Sequence, residues 1–264
     1  MINIEDVFIV FYAGTPLERV ALRGVSLSVK SGEIVSILGN NGAGRTSLLR
    51  FLAGHISLNF GRLWFDGVDI TAQSISERSK IFSSAFFNSE VCVSEDLTVL
   101  ENLTAATLHH QPMSLLRTME CETMRAKFYD QLRNLNFMEM EKFLDEKVCF
   151  LSKPYKQMLA LLMAIIKKTK VLLIDEISTG LDMDSSRILL TTMNKLIKAH
   201  KITTIMTIND PEFAMKHSDR VVVMNYGQVV ADYHDKTKAN LKMEDLLLAL
   251  NKKPTICDKN IPKI

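Results

Sequence analysis

The sequence predicts an α/β protein in which a parallel sheet follows a partly antiparallel β region and a helical lobe is inserted between them. Three observations carry this. Short apolar stretches alternate with Gly- and Ser-containing turns in the first third; apolar residues recur at spacings of three and four from about 97 to 162; continuous apolar runs then alternate with a helical stretch. With 264 residues, 47% hydrophobic and 23% charged, the chain is long enough for one large domain or two lobes.

Taken in order, "VFIVFY", "GVSLSV", "GEIVSIL" and "GRLWFDGVDI" have the length and punctuation of strands, and the third ends at Leu38. "TSLLRFLAG", Thr46 to Gly54, reads as a helix closed by glycine. Helical spacing follows in "LTVLENLTAATL", "MECETMRAKFYDQLRNL" and "KQMLALLMAII", the last beginning at Lys156. "KVLLIDE" is a buried strand ending in two carboxylates, and "ITTIMTI" and "RVVVMNYG" are further buried strands, with "SSRILLTTMNKLIKAH" as crossover helix. After about Asp235 the chain turns polar and lysine-rich, with one amphipathic helix at "MEDLLLAL" and a loose tail containing Pro254 and Pro262. The expected organisation is one domain over 1–235, with the helical lobe of about 97–162 inserted, and a C-terminal helix and tail over 236–264.

The chemistry lies first in "GNNGAGRTSLL". A phosphate-binding loop reads G-x-x-x-x-G-K-[ST] between a strand and a helix, and this stretch has that context with Arg45 in place of the lysine. Gly39, Gly42 and Gly44 allow the tight turn, and the backbone of Asn40, Asn41 and Ala43 completes a cradle whose N–H groups face phosphate. Thr46 is placed to ligate Mg²⁺, and Ser47 to contact phosphate. Arg45 keeps the positive charge, but its planar fork is larger than an ammonium. "VLLIDE" supplies the partner strand: Asp175 can hold Mg²⁺ through its second shell, and Glu176 stands where a general base would polarise water. The alternative is two solvated carboxylates at a strand end.

Composition excludes other classes. The 32 basic and 30 acidic residues leave a formal net charge of +2, which gives no reason to expect nucleic acid as partner. Cys92, Cys121, Cys149 and Cys257 are scattered, with no C-x-x-C pair, so neither zinc nor a disulfide framework is suggested. The longest apolar run, Met158 to Ile166, is far short of the roughly 20 residues of a membrane span, and the N-terminus does not read as a secretory signal.

The order and spacing of "GNNGAGRTS", "LTVLENL", "LSKPYKQMLALLMA", "VLLIDEISTGLD" and "TTIMTIND" resemble the nucleotide-binding subunit of ABC transporters, most closely bacterial importers of the amino-acid type. The resemblance implies a P-loop NTPase fold, with a RecA-like lobe, an antiparallel β subdomain and an inserted helical lobe. It also implies ATP and Mg²⁺ as cofactors. The implied partners are transmembrane permease subunits and a second ATPase subunit, with no nucleic acid. The implied location is cytoplasmic, peripheral on the inner face of the cell membrane.

Carried over by position, Tyr12 would stack on adenine, although a core tyrosine near a strand end fits the residue nearly as well. Asp175, Glu176 and Asp182 match the metal, catalytic and dimer-contact positions. Other positions depart from the family pattern. Phe87 stands where a glutamine would contact the metal and the attacking water. The signature becomes Ser152, Lys153, Pro154 and Tyr155, with two glycines lost, and Asn209 replaces a histidine that contacts the γ-phosphate. In such dimers each ATP lies between the P-loop of one chain and the signature of the other, so this chain weakens both kinds of site. The expectation is a subunit that binds nucleotide and hydrolyses it slowly or not at all. Two rivals remain: an active ATPase with compensated motifs, and a scaffold that has retired its pocket.

Overall fold

The computed structural model describes residues 1–86, 93–107, 121–134, 138–167, 169–176 and 178–252. Contacts divide the chain into two units, one of residues 1–84, 170–176 and 201–264 and one of residues 85–169 and 177–200.

In the first unit, β1 (Ile2–Phe11), β2 (Arg19–Val29), β4 (Phe60–Phe65) and β5 (Val68–Asp69) form an antiparallel sheet in the order β2-β1-β4-β5. The stretch "GRLWFDGVDI" is divided into β4 and β5 at Asp66 and Gly67, which take φ of 49° and 79°. Left-handed angles at both central residues make the tight hairpin that an Asp-Gly pair favours.

The second sheet has six strands, with β3 (Ile34–Gly39), β6 (Phe82–Phe86), β7 (Val171–Asp175), β8 (Thr203–Thr207), β9 (Arg220–Asn225) and β10 (Gln228–Tyr233) in the order β10-β9-β3-β8-β7-β6. The pairs β3–β8, β3–β9 and β7–β8 are parallel, and every residue of β7, β8 and β9 is buried, which explains the apolar runs of β7 and β9; β8 buries Thr203, Thr204 and Thr207 beside Ile205 and Met206. β10 is an antiparallel edge strand after a turn at Tyr226 and Gly227. Its residues are only half-buried, so it lacks the apolar run that reveals β9.

Three parallel strands position the site. Register sets Ile37 beside Thr207 and Thr207 beside Asp175, so β3, β8 and β7 end side by side. The chain leaving each end carries one of the sequence motifs, the place where parallel α/β sheets present ligands. Behind the sheet, helix α1 (Arg45–Ala53) buries Leu48, Leu49, Phe51 and Leu52, and it ends at Gly54 with φ 87°. Burying a Leu or Phe contributes about 1.5–3 kcal/mol each, so this face anchors the loop before it. Also in this unit are α2 (Ile75–Arg78), α7 (Pro211–His217), α8 (Asp235–Ala239) and α9 (Met243–Asn251).

The second unit contains α3 (Val99–Thr107), α4 (Cys121–Asn134), α5 (Lys153–Ile166) and α6 (Met183–Ala199). The helix read from Lys156 begins instead at Lys153, with Ser152 as N-cap and Pro154 in its first turn. Proline fits there because the first-turn N–H groups have no intrahelical acceptor. Among the described residues no helix is long and apolar enough to cross a membrane.

Candidate functional site

The loop between β3 and α1 is shaped by backbone that tolerates no side chain. Gly44 caps α1 with φ 96° and ψ 2°, and a Cβ on it would meet the Ala21 carbonyl oxygen at 2.5 Å. A Cβ on Gly39 would meet the Met224 carbonyl oxygen at 2.4 Å. Ala43 is buried; its N–H donates to the Asn40 carbonyl at 3.0 Å, and its own carbonyl accepts from Gly227 N–H at 3.0 Å. The loop is thus wedged between β2 and the β9–β10 turn, with the first N–H groups of α1 at its end.

Thr46, the second residue of α1, donates its hydroxyl to Asp175 Oδ1 at 3.3 Å. Asp175, the last residue of β7, is buried and also accepts from Thr207 Oγ1 at 2.6 Å. Burial pushes the Asp175 carboxyl above its ordinary range, and the neighbouring Glu176 adds to this. Hydrogen bonds from Thr207 and Thr46 and the Arg45 charge act against it. Glu176 takes a left-handed φ of 52°, and its N–H donates to Thr207 Oγ1 at 2.9 Å. Thr207 therefore holds both carboxylate positions.

Arg45 does not extend along the loop. Its side chain is only 5% exposed: Nη1 donates to the Ile208 carbonyl at 3.2 Å and to Asn209 Oδ1 at 2.8 Å, and Nη2 reaches Glu176 Oε1 at 3.4 Å. Burial lowers the Arg45 pKa, while Glu176 and Asp175 raise it. The planar fork satisfies three acceptors at once, which a single ammonium at this position would not match. Arg45, Thr46, Asp175, Glu176 and Asn209, all singled out from sequence, thus meet within one unit.

Asn40 turns away from the loop and donates through Nδ2 to the Leu250 carbonyl at 3.1 Å; Asn225 Nδ2 reaches the Leu250 and Lys252 carbonyls at 3.2 and 3.1 Å. Asn41 and Gly42 are exposed, and Ser47 is half-buried on α1. Tyr12 lies just after β1, 70% exposed with φ 55°, so it is not a core tyrosine.

The remaining positions belong to the second unit. Lys153 Nζ lies 2.1 Å from the place a Cβ on Gly180 would occupy, and Gln157 Nε2 donates to the Thr179 carbonyl at 3.2 Å. The Tyr155 ring rests on Phe143, with centroids 4.7 Å apart. Asp182 caps α6, accepting from Ser185 N–H at 2.9 Å; hydrogen bonds from the Ser185 side chain and then from its backbone hold the Asp182 carboxyl below the ordinary range. Phe87 lies outside the described residues.

Sequence reading missed Thr207 and the Ile208 carbonyl. A threonine in a buried β-strand is an ordinary strand residue, and only the β7–β8 register shows that its hydroxyl faces Asp175.

A family model described as "ABC transporter" matches residues 22–179. A tyrosine transport ATP-binding protein of Clostridioides difficile (strain R20291) is 32% identical over 223 residues, covering 84% of this chain and 88% of that relative. A spermidine/putrescine import ATP-binding protein of Mesoplasma florum is 32% identical over 213 residues, 80% of this chain and 56% of that relative, so the chain spans about half its length. Among solved structures, a dimeric ATP-binding cassette in a post-hydrolysis state with ADP and Pi shares the fold, with a TM-score of 0.74 at 22% identity. That match covers 89% of this chain and 98% of the cassette.

Proposed function

The chain belongs to the ABC transporter family, and from that premise we propose that it is the Mg-ATP-binding subunit of an import-type transporter in which hydrolysis is weak or lost. The contact of Thr46 with Asp175 carries the binding part, because it joins the phosphate loop to the carboxylate strand. Loop and helix N–H groups would hold the phosphates, and Tyr12 would stack on the base. Thr46 and Asp175 offer the hydroxyl and carboxylate oxygens that suit Mg²⁺, which when bound neutralises phosphate charge. Glu176, fixed through its backbone by Thr207, is the group that would polarise water.

Weak hydrolysis is supported by residue chemistry. Asn209 can accept a hydrogen bond, as it does from Arg45, but cannot carry a proton. Lys153 and Pro154 form a helical turn with side chains where the signature pattern has bare backbone. Phenylalanine at 87 can contact neither a metal nor water. Loss of a positioned acid–base group costs about 10²–10⁴ in rate.

By relationship to transport and import ATP-binding proteins, the partners are membrane permease subunits and a second cassette, with the chain peripheral on the inner face of the membrane. Nucleic acid has no place in this reading.

A thermal-shift titration with ATP, with and without Mg²⁺, tests the binding part. Occupancy at 100 times Kd adds about 2.7 kcal/mol of stability, and Asp175→Ala should remove the Mg-dependent share. A flat titration up to cellular ATP levels favours a nucleotide-free scaffold instead. The well-supported Glu176 favours the second reading, an active ATPase: turnover of about 1–10 s⁻¹ that Glu176→Gln abolishes would establish it.

A further inference from the structure

The buried contacts of Arg45 direct its guanidinium at Ile208, Asn209 and Glu176 rather than along the phosphate loop. A second arginine stands over the same loop. Arg19 opens β2, and its Nη2 lies 3.6 Å from the place a Cβ on Gly42 would occupy. Its side chain is exposed and has no hydrogen bond or ion pair among the described residues.

The backbone fixes where Arg19 starts. Arg19 pairs with Phe11 across the β1–β2 hairpin, so it stands at the same end as Tyr12. Two residues along β2, the Ala21 carbonyl occupies the space a Cβ on Gly44 would take. The strand therefore runs along the loop, with Ala21 at Gly44 and Arg19 at Gly42. One hairpin end thus offers an exposed aromatic ring and an unpaired guanidinium, one group suited to a base and one to phosphate oxygens.

We propose that Arg19 is the phosphate-binding cation of this site, taking the polyphosphate of the nucleotide over Gly42 while Arg45 is held by Glu176 and Asn209. This rests on the nucleotide-site reading above. A guanidinium gives phosphate two parallel N–H bonds, so Arg19 fixes the orientation of the polyphosphate as well as adding charge.

Calorimetric titration of the full chain with ADP, inorganic pyrophosphate and adenosine in EDTA decides the matter. Arg19→Ala should weaken ADP and pyrophosphate by about tenfold or more, the size of a charge-assisted bond, and leave adenosine within about twofold. Arg19→Lys should recover only part of the loss. The side chain is exposed, so folding is not at risk, and an unchanged melting temperature checks this. An ADP affinity within about twofold of wild type in Arg19→Ala overturns the proposal, as does an equal loss for adenosine. Failure of the wild-type chain to bind ADP at all is a separate result: it removes the nucleotide site itself.

Discussion

Thr207 links both carboxylates of the site: its hydroxyl donates to Asp175 Oδ1 at 2.6 Å and accepts from the N–H of Glu176 at 2.9 Å. Replacing it with valine keeps the shape but strips a buried carboxylate of a donor and removes the hydroxyl acceptor of the Glu176 N–H. Thr207→Val should destabilise the chain by about 2–3 kcal/mol in urea denaturation, whereas Thr207→Ser should cost about 1 kcal/mol or less.

Asp175 gives the site a pH signature. Its folded pKa is raised by burial above the ordinary 3.8. Above the folded pKa the group is ionised in both states and lowers stability, and the penalty is relieved as pH falls through the folded pKa towards the unfolded one. Asp175→Asn should therefore raise the melting temperature of the nucleotide-free chain at pH 7. The gain should shrink as the pH approaches 3.8, and a gain that grew instead on acidification would contradict the assignment.

Arg220 ties three strands together. Its Nε donates to Asp232 Oδ1 at 2.7 Å and its Nη1 to the Ser28 carbonyl at 2.6 Å; Nη2 pairs with Asp232 Oδ2, and Glu33 lies 3.9 Å away. The bonds to Asp232 raise its pKa. Arg220→Ala leaves Asp232 and Glu33 uncompensated and should cost about 3–5 kcal/mol by chemical denaturation. Arg220→Lys should recover less than half, since one ammonium cannot span these acceptors.

Gly44→Ala tests the wedge between loop and β2. The added methyl would meet the Ala21 carbonyl oxygen at 2.5 Å in a backbone with φ 96°. A loss of about 2 kcal/mol or more is expected, together with loss of any ADP-dependent rise in melting temperature.

The fold was legible wherever burial is two-sided or helical. The apolar runs of β7 and β9 and the Gly54-closed α1 are visible in sequence because their packing demands those residues. β10 escaped because an edge strand of half-buried residues has no such demand. At the candidate site, motif spacing singled out the residues following β3 and those at the end of β7, including the unusual Arg45, and the structure brings them together. The direction of its guanidinium was not legible, since it depends on Asn209 and Glu176, which lie 164 and 131 residues further along the chain. Arg19 was invisible for the same reason: an arginine at the start of an exposed hairpin strand has no pattern until the strand is laid beside Gly42.

The asparagine bonds to Leu250 and Lys252 bear on how this protein is handled at the bench. Asn40 belongs to the phosphate loop, and Asn225 ends the neighbouring strand. A clone shortened before Leu250, or a reporter fused tightly there, would release both amides. Its nucleotide affinity would then describe a loosened loop.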